Sequence, residues 1–288
     1  MNTLIVARLT LLEALRRRLL WALVILTLAV VGFTGWGFAL LVDNARNHGV
    51  PELELVVGVS QVLILVAFMF SFVLVMTAAF LGAPAIATDL DSGVLLAIAA
   101  RPIRRAEILA GKWLGLAAIA LGYAVASGLL EVAAVRQITG YGPPDPLGAS
   151  LYLGGQAIVL LTIALLMSTR LPAIAAGAVA VVLFGLSWVA GVLANVASAL
   201  GLDSLAQTAQ ASRYILPLDG LWRGTVFALE PPAAIFVATG VDARASRIAT
   251  SSPFFAASGP EPVFLVYVGV WILAVLALAA VSFRRREI

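Results

Sequence analysis

Residues Leu55 to Pro84 read LVVGVSQVLILVAFMFSFVLVMTAAFLGAP, a run without one Asp, Glu, Lys, Arg or His. A bilayer's hydrocarbon layer is about 30 Å thick, and a helix rising about 1.5 Å per residue crosses it in roughly 20 residues. A charge at the centre of such a helix costs about 2.5–3.5 kcal/mol on insertion, so a long run free of charge is what crossing lipid demands. Working outward, five further runs have this character: Leu19 to Val42, Trp113 to Val135, Leu147 to Met167, Leu171 to about Ala194, and Val263 to Phe283. Glu131 is the one ionisable residue inside them. The pattern predicts an all-α integral membrane protein with six transmembrane helices.

Composition agrees. The 288 residues are 62% hydrophobic and 11% charged, with a mean hydropathy of +1.07, whereas soluble domains hold about 25% charged residues. A formal charge of +3, from 18 Lys and Arg against 15 Asp and Glu, is too small for a nucleic-acid partner. No Cys is present, and His48 is the one His among four Met. That leaves little for a metal site, since structural and catalytic sites take three or four ligands of these types.

Short segments facing the cytoplasm carry the excess of Lys and Arg. Arg8 and Arg16 to Arg18 precede the first run. Arg101, Arg104, Arg105 and Lys112 follow the second, Arg170 follows the fourth, and Arg284 to Arg286 follow the last. The alternate short connections hold only Arg46 and Arg136. Both termini are therefore expected in the cytoplasm, with membrane lipid, of the cell (inner) membrane, as the surrounding medium.

Three polar regions remain. In residues 1–18, Leu4, Leu11 and Leu15 share one helical face, with Thr3, Thr10 and Glu13 opposite. This reads either as a helix lying along the inner interface or as a merely topogenic basic tail. In residues 85–112, Asp89, Asp91 and Gly93 end one helix, Arg101 and Pro102 break a short apolar stretch, and a new helix starts near Arg104. That helix carries Arg105, Glu107 and Lys112 into the third run. In residues 201–262, a long outer connection rich in Pro, Asp219 is expected to cap a short helix from Gly220 to Leu229, interfacial or partly re-entrant.

Within the third run Gly111, Gly115, Ala118 and Gly122 fall on one face, a stripe of small residues that lets a second helix approach closely. Glu131 lies 18 residues past Trp113, about 27 Å along the helix. It is thus expected near the outer boundary, with its carboxylate reaching the headgroups; as a possible pathway residue it would instead serve substrate or protons. No G-x-x-x-x-G-K-[ST] phosphate cradle is present, Lys112 being followed by Trp113; an ATP-driven process would need another chain to hydrolyse ATP.

The order of features in 85–112 resembles the permease subunits of ABC-2 type transporters: Asp89 and Asp91, Gly93, an apolar stretch, Arg101-Pro102 with Arg104, then Gly111-Lys112. The basic cluster before the first run, six spans and the basic tail extend the resemblance over residues 1–288 as one permease domain. "LPLDGLWR", Leu216 to Arg223, is similar to the outer loop of a subgroup associated with copper-enzyme maturation. Thr10 and Val94 depart from the residues usual in the family. The resemblance implies an ABC-2 (type V exporter-like) permease fold and no catalysis in this chain. It also implies a cytoplasmic ATP-binding cassette subunit holding ATP and Mg, and a second copy of this or a similar permease. Asp89, Asp91, Gly93, Arg101, Pro102, Arg104, Arg105, Glu107 and Lys112 become its coupling region. Two other classes stand beside it: an ion-gradient-driven carrier or channel, which calls for midplane ionisable groups, and a membrane anchor for an outer-surface accessory protein docked on 201–262.

Overall fold

The computed structural model describes residues 2–16, 18–91, 104–240 and 251–286. Every element among them is a helix: α1 (Asn2–Arg16), α2 (Arg18–Asn47), α3 (Glu52–Gly82), α4 (Pro84–Asp91), α5 (Arg105–Thr139), α6 (Pro146–Ser168), α7 (Ala173–Ala199), α8 (Asp203–Ile215), α9 (Leu218–Leu229), α10 (Pro232–Gly240) and α11 (Pro262–Arg284). Six stretches are long and apolar enough to span a membrane, namely Trp21–Asn47, Glu52–Asp89, Arg105–Thr139, Pro146–Ser168, Ala173–Ala199 and Pro262–Arg284. They coincide with the six runs of the sequence, and they extend further at several ends. The third span, α5, starts at Arg105 because Glu107 accepts a hydrogen bond from the Arg104 backbone N–H at 3.2 Å, tying down its first turn. It ends at Gly140, whose φ of 77° supplies the left-handed stop.

Six spans place both ends of the chain at one face of the bundle, here termed the terminal face. In lipid no hydrophobic force drives helices together, so close packing and buried polar pairs must do it. The central span is α6, the most enclosed of the six, while α11 lies at the periphery. Ala157, Leu160, Leu161, Ala164 and Leu165 of α6 are all fully enclosed. Polar pairs pin α6 in register: Ser71 of α3 donates to Gln156 Oε1 at 2.6 Å, and the Trp113 indole N–H of α5 donates to Thr162 Oγ1 at 2.9 Å. Thr27 of α2 pairs with the Tyr123 hydroxyl of α5 at 2.6 Å.

The connection between α7 and α11 differs from the expectation. Asp219 does not cap a helix: α9 starts after Pro217 without a side-chain cap, and Asp219 lies inside its first turn. Of the two placements expected for this helix, interfacial or partly re-entrant, the interfacial one does not hold. Leu218, Leu221, Trp222 and Val226 are buried against α6 and its neighbours. Two helices form a hairpin: α8 runs back along α7, the chain breaks at Leu216 and Pro217, and α9 returns along α6.

Depth follows from what the break touches. The Leu216 carbonyl accepts from Ser187 and the Leu218 carbonyl from Gln156 Nε2, each at 3.4 Å. Ser187 is twelve residues from the end of α7, about 18 Å, and Gln156 ten residues from the start of α6, about 15 Å. Trp271 donates to the Ile215 carbonyl at 3.0 Å and Tyr267 to that of Tyr214. Non-helical backbone at such depth survives only where protein groups satisfy it, and here four side chains do so.

Candidate functional site

The terminal face is built around the first turns of α5. Lys112 donates to the Ala85 carbonyl at 2.5 Å and forms an ion pair with Asp89, which joins α5 to α4. Two turns earlier, Arg105 Nη1 donates to the carbonyls of Arg286 at 2.8 Å, Phe283 at 3.3 Å and Arg284 at 3.4 Å, with its guanidinium over the Phe283 ring. The last carbonyls of a helix lack partners within it. Arg105 thus closes the end of α11, while Arg286 donates to the Thr169 carbonyl at 2.8 Å and Arg170 to Ser282 at 3.0 Å.

On the other side of α5, Gly111 and Gly115 receive α1. A Cβ added at Gly111 would stand 2.6 Å from Val6 Cβ and 2.7 Å from the Thr3 carbonyl oxygen; at Gly115 it would stand 2.7 Å from the Ala7 carbonyl oxygen. Real carbon contacts are longer, so only glycine permits this approach. The small face of α1 (Thr3, Val6, Ala7, Thr10) therefore meets α5, while Leu4, Leu9 and Leu15 are left exposed. The stripe does not continue: nothing lies within 4 Å of a Cβ at Gly122, which is exposed. A helical wheel gives the direction of a face, whereas contact also needs a neighbour that reaches so far. A cavity of about 120 Å³ remains between α1, α4 and α5, lined by Thr10, Glu13, Thr88, Asp89 and Lys112 among others.

Of the coupling residues expected from sequence, the structure brings Asp89 and Lys112 together, gives Arg105 and Glu107 structural partners, and leaves Arg104 exposed. Gly93, Arg101 and Pro102 lie outside the described residues, as does the side chain of Asp91.

Glu131 does not reach the headgroups. It is 5% exposed, Thr34 of α2 donates to its Oε1 at 2.7 Å, and its Oε2 has no hydrogen-bond partner among the described residues. Distance along α5 sets its depth, but the side chain follows the face of Ala124 and Ser127, which turns inward toward α2, α3 and α6. A cavity of about 30 Å³ abuts it, walled by Phe70, Gly128, Ser150 and Leu153 among others, enough for one or two waters. Beyond Phe70 and Thr34 an apolar groove of about 310 Å³ runs between α2 and α3, past Phe33, Met69 and Tyr123.

Sequence reasoning missed a third arrangement. Asp219 of α9 pairs with Arg213 of α8 at 2.6 Å and with Arg223, one turn along α9, at 3.4 Å. Asn195 of α7 accepts from both arginines. A Cβ at Gly191 would collide with the Asp219 carboxylate, so a glycine in α7 makes the room for it. The available signal was the i,i+4 spacing of Asp219 and Arg223, together with Asn195 as a polar residue inside a span.

At the far end of α9 the Tyr141 hydroxyl donates to the Leu229 carbonyl at 2.6 Å. Glu230, 1% exposed, accepts from the Ala256 N–H at 3.1 Å, and burial pushes its carboxyl up to about 7.

No group of three or more His, Cys, Asp or Glu side chains among the described residues is placed to hold a metal ion. No curated protein matches the chain. The family model described as ABC-2 family transporter protein matches residues 4–288. The chain therefore belongs to the ABC-2 family, the membrane permease component of ABC transporters, with ATP hydrolysis in a separate ATP-binding cassette subunit.

Proposed function

We propose that the chain is one half of a permease dimer in the cell (inner) membrane that exports its substrate, with both termini in the cytoplasm and residues 85–112 gripped from beneath by the ATP-binding subunit. ATP and Mg belong to that subunit. The observation that carries this reading is the joining of helices at the terminal face. Within Arg105–Lys112, α5 is tied to α11 by Arg105, to α4 by Lys112 and to α1 by Gly111, with Gly115 one turn beyond. Rigid-body rocking needs an element whose displacement several spans must follow, and this one is continuous with α5 itself. The Lys and Arg excess at the same face supports its cytoplasmic side.

Structure also narrows the test. Replacing Arg105 would damage the end of α11, so Arg104→Glu alone is the informative variant. The full chain purified in mild detergent with its companions is expected to bring down an ATP-binding subunit. Arg104→Glu is expected to weaken that association without lowering the yield of inserted protein. Undiminished association in Arg104→Glu, or the absence of any ATPase with the native chain, would overturn the proposal.

Leu216 to Arg223, the stretch similar to copper-enzyme-maturation permeases, forms the helix break and supplies Asp219 and Arg223 of the Arg-Asp-Arg cluster. With no Cys, one His and four Met, a metal relay is not part of the proposed function. One observation favours a second reading, a carrier driven by an ion gradient: the enclosed Glu131 with an oxygen left over. Solute uptake into ATP-free vesicles under a proton gradient, abolished by Glu131→Gln, would establish it in place of the first.

A further inference from the structure

The hairpin of α8 and α9 brings two guanidinium groups to one carboxylate. Asp219 compensates one positive charge, and its side chain is only 9% exposed. A helix-joining function needs a single ion pair; among the described residues the second arginine leaves a net positive charge at the spot. The donors are also in surplus, since a guanidinium carries five N–H groups. Arg223 uses Nε on Asp219 and Nη2 on Asn195, while Arg213 sets Nε against Asp219 and Nη2 on Asn195. The Nη1 groups of both have no hydrogen-bond partner among the described residues.

Beside them is a cavity of about 260 Å³, lined by Asn195, Ser198, Gln210, Arg213, Arg223 and Ser251. No acidic side chain is among the described residues lining it. Ser198 and Ala199 close the last turn of α7, so the cavity opens at the end of a span, away from the terminal face. That is the level at which lipid headgroups lie.

We propose that this cavity is an anion site for a phosphate group, held by the Nη1 donors of Arg213 and Arg223 and by the Ser198 hydroxyl and Gln210 amide beside them. Arginine forks match phosphate oxygens in pairs of parallel hydrogen bonds, and the net positive charge left by the 2:1 ratio of arginine to aspartate is what an oxyanion neutralises. The same chemistry accepts a phospholipid headgroup or free phosphate. The assignment stands apart from the mode of energy coupling, because none of its residues touches the terminal face.

The test uses the full chain with its companions in detergent micelles. Tm is followed as dihexanoyl phosphatidylglycerol, dihexanoyl phosphatidylcholine or sodium phosphate is added at fixed ionic strength. A saturable rise is expected with an anionic ligand: phosphatidylglycerol alone identifies a lipid headgroup, and sodium phosphate as well identifies a free anion. Gln210→Glu places a negative charge at the exposed wall without touching the ion pairs, and Arg213→Gln keeps the Arg223–Asp219 pair. Each is expected to weaken apparent affinity at least tenfold while the unliganded Gln210→Glu protein keeps its Tm. No rise with either anion, an equal rise with phosphatidylcholine, or a rise unchanged in both variants would overturn the assignment.

Discussion

Gly111 and Gly122 sit on the same helix and on nearly the same face, yet the same substitution should act on them with opposite sign. Valine at Gly111 would put its Cβ 2.6 Å from Val6 Cβ and 2.7 Å from the Thr3 carbonyl oxygen. Both belong to the body of α1, so relief requires α1 to move by most of an ångström. Overpacking of this kind costs about 1–3 kcal/mol, while the better helix propensity of Val over Gly returns roughly 0.3–0.5 kcal/mol. Gly111→Val should therefore lose about 1–3 kcal/mol. At Gly122 nothing lies within 4 Å, so only the propensity gain remains and Gly122→Val should be neutral or slightly stabilising. Thermal unfolding in detergent reads the difference. Hydrogen exchange over α1 locates it, since α1 leaves Leu4, Leu9 and Leu15 exposed and sets its small face against α5. Equal Tm shifts for the two variants, or unchanged protection of α1 in Gly111→Val, would refute the packing argument.

Thr34→Val removes the one hydrogen-bond donor to Glu131 among the described residues and should cost about 1–3 kcal/mol, checked by the same unfolding assay against Thr77→Val, whose hydroxyl bonds only its own helix. Arg105→Ala should unclamp the last turn of α11 and raise proteolysis at its end, whereas Arg104→Ala, exposed, should not. Glu230 gives a pH dependence whose sign follows from its carboxyl being raised from 4.5 to about 7. The folded state holds this proton more tightly than the unfolded chain, so the stabilisation is complete below 4.5 and lost as pH passes 7. At about 1.36 kcal/mol per pH unit this amounts to about 3 kcal/mol. Glu230→Gln should remove that dependence, and parallel Tm-versus-pH curves for the two proteins would contradict it.

The six spans were legible because crossing lipid imposes a rule on every residue of a segment, and Leu55 to Pro84 states it without exception. Their ends were less so. The apolar run starts only at Trp113, because hydropathy drops at charges, and it was the helix start read near Arg104 that anticipated α5 beginning at Arg105. The hairpin was legible only in part: a short interfacial or partly re-entrant helix was expected over Gly220 to Leu229, without α8 before it. Residues of α8 are polar enough to pass for a loop, and α9, at 12 residues, is too short to register as a span. What makes them one inserted element is the set of acceptors that Ser187, Gln156, Tyr267 and Trp271 satisfy, from three helices far apart in the chain. Glu131 shows the same limit at one residue: counting along α5 gave its depth, but only the placement of α2 and α6 shows that it faces inward. The Arg213–Asp219 pair joins different helices, and no spacing rule reaches across a turn whose geometry Leu216 and Pro217 decide.

The central claim is that the terminal face carries the ATP-binding subunit. Photo-crosslinking amino acids placed one at a time at Arg104 and at the exposed Gly142, in the turn between α5 and α6 at the opposite face, test it most directly. The account predicts that position 104 captures an ATP-binding cassette subunit in cells and that position 142 does not; capture from 142 alone would contradict it.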